Sequence, residues 1–297
     1  MEVSMPRICR PYLVIFLVVL FLSGCQSSSP DTALPEPTID PDRLFLFVEE
    51  NPPGAEPEPF GSGWFTGGFH SAPVFAPDGK SVWWAGRYAT QTIYVSYYQD
   101  GSWTEQERVS FSDQISSYRD PFISPDGLKF YFISTAPLPG KSGSSKENFW
   151  MMDWVDGEWS EPQPLPDEVN SYQLHWTPSV ASNYDFYFSA NVDGNPELLV
   201  SRYESGAYTE PELIADPISS EELEFTPNIA PDQSYLLFSR ARDNNSPAHL
   251  YIAYANEDGW TDPIRVENVD DCISPIVTPD RKYVIYLKGA SALEWRD

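Results

Sequence analysis

The chain of 297 residues carries 44 Asp and Glu against 18 Lys and Arg, a net charge of −26. A field of that sign disfavours nucleic acid and anionic lipid surfaces as partners, and it also serves solubility. Three cysteines are too few for a disulfide framework, while 15% aromatic residues, ten of them Trp, are enough to build one large apolar core.

At the start, Arg7 and Arg10 precede an apolar run over residues 12–22, and Leu22-Ser23-Gly24-Cys25 follows. A basic region, a short apolar region and small residues before a cut read as a signal peptide, too short for a spanning helix. Leu-Ser-Gly-Cys resembles a bacterial lipobox, which implies that Cys25 becomes a lipidated N-terminus. Several acyl chains would make that membrane attachment stable. Gln26, where a retention signal would place Asp, implies the outer membrane of a Gram-negative cell. Residues 26–43, rich in Ser, Pro, Asp and Thr, read as a flexible tether. Residues 44–297 read as a single domain, with 44–47 as an extra strand packed on it. With Cys9 lost alongside the leader and Cys25 lipidated, Cys272 has no partner for an internal bridge.

One phrase then returns five times: an apolar strand, a Pro-Asp turn and an aromatic strand. The first copy is Ala72-Pro73-Val74-Phe75-Ala76-Pro77-Asp78-Gly79, and the others open at Asp120-Pro121, Thr177-Pro178, Thr226-Pro227 and Ser274-Pro275. The third copy is degenerate, with Ser182-Asn183 at its turn. The turn positions Pro77, Pro125, Ser182, Pro231 and Pro279 are spaced 48, 57, 49 and 48 residues apart, a period that marks propeller blades. Second strands are predicted over 81–85, 129–133, 185–189, 235–239 and 282–287. Third strands are predicted over 92–97, 148–154, 197–203 and 249–254. Tight turns at Asp100-Gly101, Asp156-Gly157, Ser205-Gly206 and Asp258-Gly259 lead into fourth strands opening on Trp103, Trp159, Tyr208 and Trp260. Each unit is therefore a four-stranded antiparallel sheet, strands A to D, the pattern of one blade.

The fifth copy ends after a third strand near 292–295. Its missing outer strand is supplied by Glu56-Pro57-Glu58-Pro59-Phe60, which matches the fourth-strand pattern Glu210-Pro211-Glu212-Leu213-Ile214. The expected fold is all-β: a five-bladed propeller of four-stranded antiparallel blades, closed by an N-terminal strand that removes the free edges. These phrases resemble the PD40, or WD40-like, repeats of TolB-type β-propellers over about residues 56–297. The order of Pro52-Pro53-Gly54, the Pro-Glu-Pro-Phe segment and five repeats also resembles bacterial PD40 lipoproteins of unassigned activity. TolB itself is expected to carry an additional N-terminal domain, for which this sequence leaves no room.

Strands wound A to D from the axis outward put the D-to-A and B-to-C connections on one face, where propellers carry function on loops or in the axial mouth. Three rows precede the prolines of the repeats. They are His70, Tyr118, His175, Glu224 and Cys272, then Ser71, Arg119, Trp176, Phe225 and Ile273, then Ala72, Asp120, Thr177, Thr226 and Ser274. The B-to-C connections add Arg240 and His249, among other basic residues, to that face. His70, Arg119, His175, Trp176, Phe225 and Arg240 are thus candidate ligand-binding residues, with Trp176 and Phe225 placed to stack on a sugar ring. His70, His175 and His249 are candidate ligands of a divalent metal, although no pair has a ligand spacing such as His-x-x-x-His, and no other cofactor is expected. Asp120 and Glu224, with His175, are candidate catalytic residues for a glycoside hydrolase, which works with two carboxylates. Related propeller folds include polysaccharide lyases with metal-assisted sites, so the resemblance carries that chemistry too. Loop histidines are commonly solvated, however, and residues before an A strand commonly fasten neighbouring blades.

Trp103, Trp159 and Trp260 occupy repeated positions and read as blade packing. Asp78, Asp126, Asp232 and Asp280 sit at the A-to-B hairpins on the opposite face, where bonds to the turn backbone account for them. Gly-x-Ser-x-Gly, Gly-x-x-x-x-Gly-Lys-Ser/Thr and His-Glu-x-x-His are absent. The leading expectation is a monomeric, lipid-anchored, non-catalytic module for an envelope protein or glycan. The competing one is a glycan-active hydrolase or lyase. Convergence of the histidines or carboxylates on one concave pocket favours the enzyme, and a plugged mouth favours the module.

Overall fold

The computed structural model describes residues 53–61, 65, 68–86, 92–109, 111, 117–140, 146–172, 177–289 and 292–297. The leader, Cys25, the tether and the strand expected at 44–47 lie outside them. Five antiparallel sheets follow one another along the chain. Their innermost A strands are Val74–Phe75, Arg119–Ile123, Ser179–Val180, Leu223–Ile229 and Cys272–Val277. The B strands are Ser81–Ala85, Lys129–Ser134, Phe186–Val192, Tyr235–Ala241 and Val284–Lys288, and the C strands are Ile93–Gln99, Asn148–Val155, Asn195–Ser201, His249–Asn256 and Ala292–Arg296. The one helical turn among the described residues is the 3-10 segment Val169–Ser171.

The outer strands of blades one to four depart from the expectation in one respect: each is split. In blade one Ser102–Trp103 pairs with the end of the C strand, and Glu107–Arg108 pairs further back along it. Glu158–Trp159 and Gln163–Pro164 repeat this in blade two, Gly259–Trp260 and Ile264–Asp270 in blade four. Between the two pieces the backbone bonds back to the C strand at Thr104, Ser160, Thr209 and Thr261, each amide 2.8 or 2.9 Å from its acceptor. The aromatic residue of the first piece turns inward, so Trp103 meets Phe75 at 6.3 Å and Trp159 meets Phe130 at 5.5 Å between ring centroids.

The N-terminal strand Glu58–Pro59 completes blade five, pairing Glu58 with Trp295 and Pro59 with Glu294. The Phe60 amide donates to the Leu293 carbonyl at 2.9 Å, repeating the bonds of Val109 to Ile93, Leu165 to Phe149 and Ile214 to Leu198 at the same distance. Proline is tolerated in this strand because its outer edge needs no donor. Phe60, 3% exposed, packs on Trp295 of blade five at 5.1 Å and on Phe75 of blade one at 6.5 Å, so the closing strand also fills a junction.

Each junction holds an apolar cluster. Phe60, Val74, Trp84, Ile285 and Trp295 lie between blades five and one, and Trp83, Phe130, Phe132 and Trp150 between one and two. Tyr131, Phe149, Phe186 and Phe188 follow between two and three, Tyr187, Leu198, Leu236 and Phe238 between three and four, and Leu237, Leu250, Cys272 and Tyr286 between four and five. Both faces of each blade are buried, which is why its strands are apolar on successive residues and not only on alternate ones. Cys272 is a buried free cysteine within this packing. The turn aspartates behave as expected: Oδ1 of Asp78, Asp126, Asp232 and Asp280 accepts the amide two residues on at 2.9, 3.0, 3.1 and 3.2 Å. Asn183 does the same in the degenerate copy at 3.1 Å.

Truncating Phe60 to Ala removes the side chain that bridges closure and junction, and a cost of about 3–5 kcal/mol is expected in urea unfolding. The exposed Glu58→Ala at the same strand should change stability by less than about 0.5 kcal/mol. Equal losses in the two variants would contradict this account of closure.

Candidate functional site

The repeated proline follows a β-bulge. Arg119 pairs with Ile133 and Phe122 with Tyr131, so Asp120 and Pro121 together face a single residue of the B strand. The same slip occurs after Phe225 and after Ile273. A residue without an N–H is suited to a point where the ladder is broken. The residue before it is forced to positive φ, 43° at Asp120, 32° at Thr177, 51° at Thr226 and 53° at Ser274. That conformation is costly for non-glycine residues and worst for β-branched ones, and it persists where surrounding contacts over-determine it.

Those contacts form a belt around the axis that crosses all five junctions. The Ala72 amide donates to Ser274 Oγ (3.2 Å) and the Ser274 amide to Thr226 Oγ1 (3.2 Å). The Thr226 amide donates to Ser189 Oγ (3.3 Å) and the Thr177 amide to Asp120 Oδ2 (3.2 Å). His70 Nδ1 closes the circle 2.7 Å from Asp120 Oδ1. Thr177 Oγ1 and Ser274 Oγ, from blades that are not neighbours, approach to 3.3 Å across the axis. Ala72 and Asp120 are 0% exposed, Thr177 and Thr226 1%, and Ser274 3%, so the axis is filled at this level.

Asp120 is the one acidic member of the belt. Burial acts to raise its pKa, but the His70 charge, the His70 hydrogen bond and the Thr177 amide outweigh it and hold the carboxyl below its ordinary value. With Asp120 ionised, the His70 nitrogen facing it carries the proton. Arg119, beside it, is committed to Glu147 through Nη1, while its Nε is buried without a partner.

Glu224 belongs to a different network. Its Oε1 accepts from Arg240 Nε at 2.7 Å and from the Ser220 hydroxyl at 2.6 Å, and the side chain is 0% exposed. Arg240 lies over the rings of Phe238 and Tyr251 at 5.3 and 5.0 Å and donates to the Ile218 carbonyl at 2.8 Å. Arg240 therefore clamps the chain between blades three and four, and it is not presented at a mouth. Glu197, which the sequence did not single out, adjoins this network. Burial raises its pKa, the Ser219 hydroxyl 2.9 Å away opposes that, and the Glu224 charge raises it further.

The remaining candidates scatter. Phe225 is 6% exposed in an apolar cluster with Leu223, Ala241 and Ala248, which withdraws it from sugar stacking. His249 stands at the outer edge of blade four, its Nδ1 3.0 Å from Arg265 Nη2 and 3.2 Å from Asp270 Oδ1, in a network separate from that of His70. His175 and Trp176 lie outside the described residues. Among the described residues no three His, Cys, Asp or Glu side chains are grouped to hold a metal ion. The structure thus brings His70 to Asp120 and Arg240 to Glu224, and it separates the two carboxylates. One sequence feature pointed at the belt: the residue before the repeated proline carries a side-chain oxygen in four copies of five.

No family model and no curated protein matches the sequence. Among solved structures the chain is similar to TolB from Acinetobacter baumannii, at 14% identity and a TM-score of 0.51, over 75% of this chain and 53% of TolB. The chain thus spans about half the length of that protein. It is also similar to an endo-arabinase from Bacteroides thetaiotaomicron VPI-5482, at 13% identity and a TM-score of 0.50, over 82% of this chain and 95% of the arabinase. Identities this low show a shared propeller fold.

Because Asp120 is held below its ordinary pKa, its contribution to stability is present above the unfolded-state value and is lost as pH falls through the folded-state one. Asp120→Asn is expected to lower urea stability at pH 7, and the gap to the natural protein should shrink towards pH 3. A gap that stays constant between those pH values would contradict the ionised belt.

Proposed function

We propose that this protein is a lipid-anchored, monomeric envelope propeller that acts as a non-catalytic binding module for an envelope protein or glycan. The observation that carries the reading is the closed axis: the carboxylates best placed for catalysis are wholly buried and each is committed to a basic side chain of its own, His70 or Arg240. Hydrolysis needs a pair flanking one bond with at least one member open to substrate. Cys25 is the proposed lipidation site, holding the domain at the outer membrane through residues 26–43, and the net charge of −26 supports the exclusion of nucleic acid.

Two measurements test this. Cys25→Ser should abolish incorporation of labelled palmitate; undiminished labelling would remove the anchor. The melting temperature of the intact protein should rise with an envelope protein or an oligosaccharide, because a ligand of the folded state stabilises by mass action. No reducing ends should be released from the oligosaccharide. Release that disappears in Glu224→Gln would overturn the non-catalytic reading.

A further inference from the structure

Two exposed large apolar residues lie side by side on the turn face of blade two, opposite the candidate site: Leu128 is 43% exposed and Trp154 42%. The Trp154 amide donates to the Leu128 carbonyl at 2.8 Å, joining the A-to-B turn to the C-to-D hairpin. Gly127, at φ +74°, brings this turn against blade one, where an added methyl would stand 4.0 Å from Pro77 Cδ. The Trp154 ring is propped by Trp159, with centroids 4.9 Å apart and planes at 69°, and Trp159 is fixed in turn on Phe130.

Trp159 is the packing residue of this hairpin; Trp154 is not needed for that. The equivalent cross-strand partners are Tyr98 over Trp103 at 5.5 Å, Tyr203 over Tyr208 at 5.0 Å, and Ala255 opposite Trp260. Other blades are therefore complete with a tyrosine or an alanine here, and among the described residues only blade two stands a tryptophan in solvent on a rigid support. Exposed apolar clusters rimmed by polar groups mark interaction sites.

The surroundings select the occupant. The same hairpin carries the exposed Asp156 and Glu158, while Asp153 is paired with Lys129 Nζ at 2.5 Å and Asp126 accepts from the Leu128 amide and from Tyr184. The two exposed carboxylates repel nucleic acid, anionic lipid and acidic sugars. Two apolar side chains on two hairpin tips fall well short of the roughly 800 Å² per partner that a standard protein interface buries. A neutral sugar fits both limits: its C–H face is attracted to the negative face of an indole, and its hydroxyls donate to carboxylates. We infer that Trp154, with Leu128 beside it, forms a stacking subsite for a neutral glycan on the turn face of blade two. This inference rests on the binding-module reading and gives it a ligand class and a place.

Cellohexaose and xylohexaose, with hexagalacturonate as the acidic probe, are titrated calorimetrically into the intact protein. At least one neutral hexasaccharide should bind, and hexagalacturonate should bind none or far more weakly. Trp154→Ala should weaken the neutral ligand by roughly tenfold, the loss of one stacking contact, while Trp154→Tyr, the residue type of blades one and three, stays within about threefold. Melting temperatures of the variants verify that both fold. Binding of a neutral hexasaccharide that survives Trp154→Ala overturns the subsite and leaves the module reading intact. Preference for hexagalacturonate, or binding of no hexasaccharide, also overturns it. If no envelope protein raises the melting temperature either, the module reading falls as well.

Discussion

Four of the five blades share one backbone event, positive φ at the residue before the repeated proline, set in a bulge in blades two, four and five. Left alone, that conformation would cost of order 1–3 kcal/mol at each position. Here it aims an amide across the junction at an oxygen of the next blade, and the chain of such bonds runs through Ser274, Thr226, Ser189 and Asp120 to His70. The apolar clusters between blades supply most of the burial, but they are non-directional and would tolerate a different tilt or number of blades. The belt sets the geometry, since each donor must meet its own acceptor.

The same belt fills the axis of the propeller. A propeller axis becomes a site when its walls present polar groups to a cavity. In this chain the polar groups turn to one another, and two hydroxyls meet across the middle. Asp120 has the composition of a catalytic residue and the environment of a structural one, with both oxygens occupied and no exposed surface. Glu224 is likewise unexposed, its Oε1 clamped by an arginine that lies against two aromatic rings while its Oε2 is buried without a partner. In the proposed reading recognition falls to the outside, where the turn face of blade two carries the exposed Trp154.

The architecture was legible because its signals are local. A Pro-Asp turn between an apolar and an aromatic run, or an Asp-Gly pair before a tryptophan, needs no tertiary information, and the match of 56–60 to 210–214 revealed the closing strand. The split outer strands were not legible, because the second piece is defined by pairing to a distant part of the C strand. Nor were the side-chain destinations at the mouth. A bulge shifts the alternation of facing by one residue, so Phe225 and Thr226, adjacent in sequence, part company into an apolar cluster and the axial belt. Counting back from the proline placed three rows at the axis; among the described residues the row next to the proline lies there, joined by His70 of the first row. Arg240 and Glu224 were identified as residues of interest, but their mutual bond depends on cross-strand register, Glu224 opposite Arg240, which emerges only once strands are paired. Trp154 was passed over because it lies within a strand pattern in which aromatic residues are ordinary.

Hydrogen exchange at the belt amides tests the central claim most directly. The amides of Ala72, Thr177, Thr226 and Ser274 lie at strand irregularities, where unpaired groups would exchange quickly if water filled the axis. The account predicts that all four exchange only through global opening, as slowly as the B-strand amides of Phe132 and Phe238. Exchange at the rate of exposed loops would show an axis open to solvent and would contradict both the belt and the functional reading built on it.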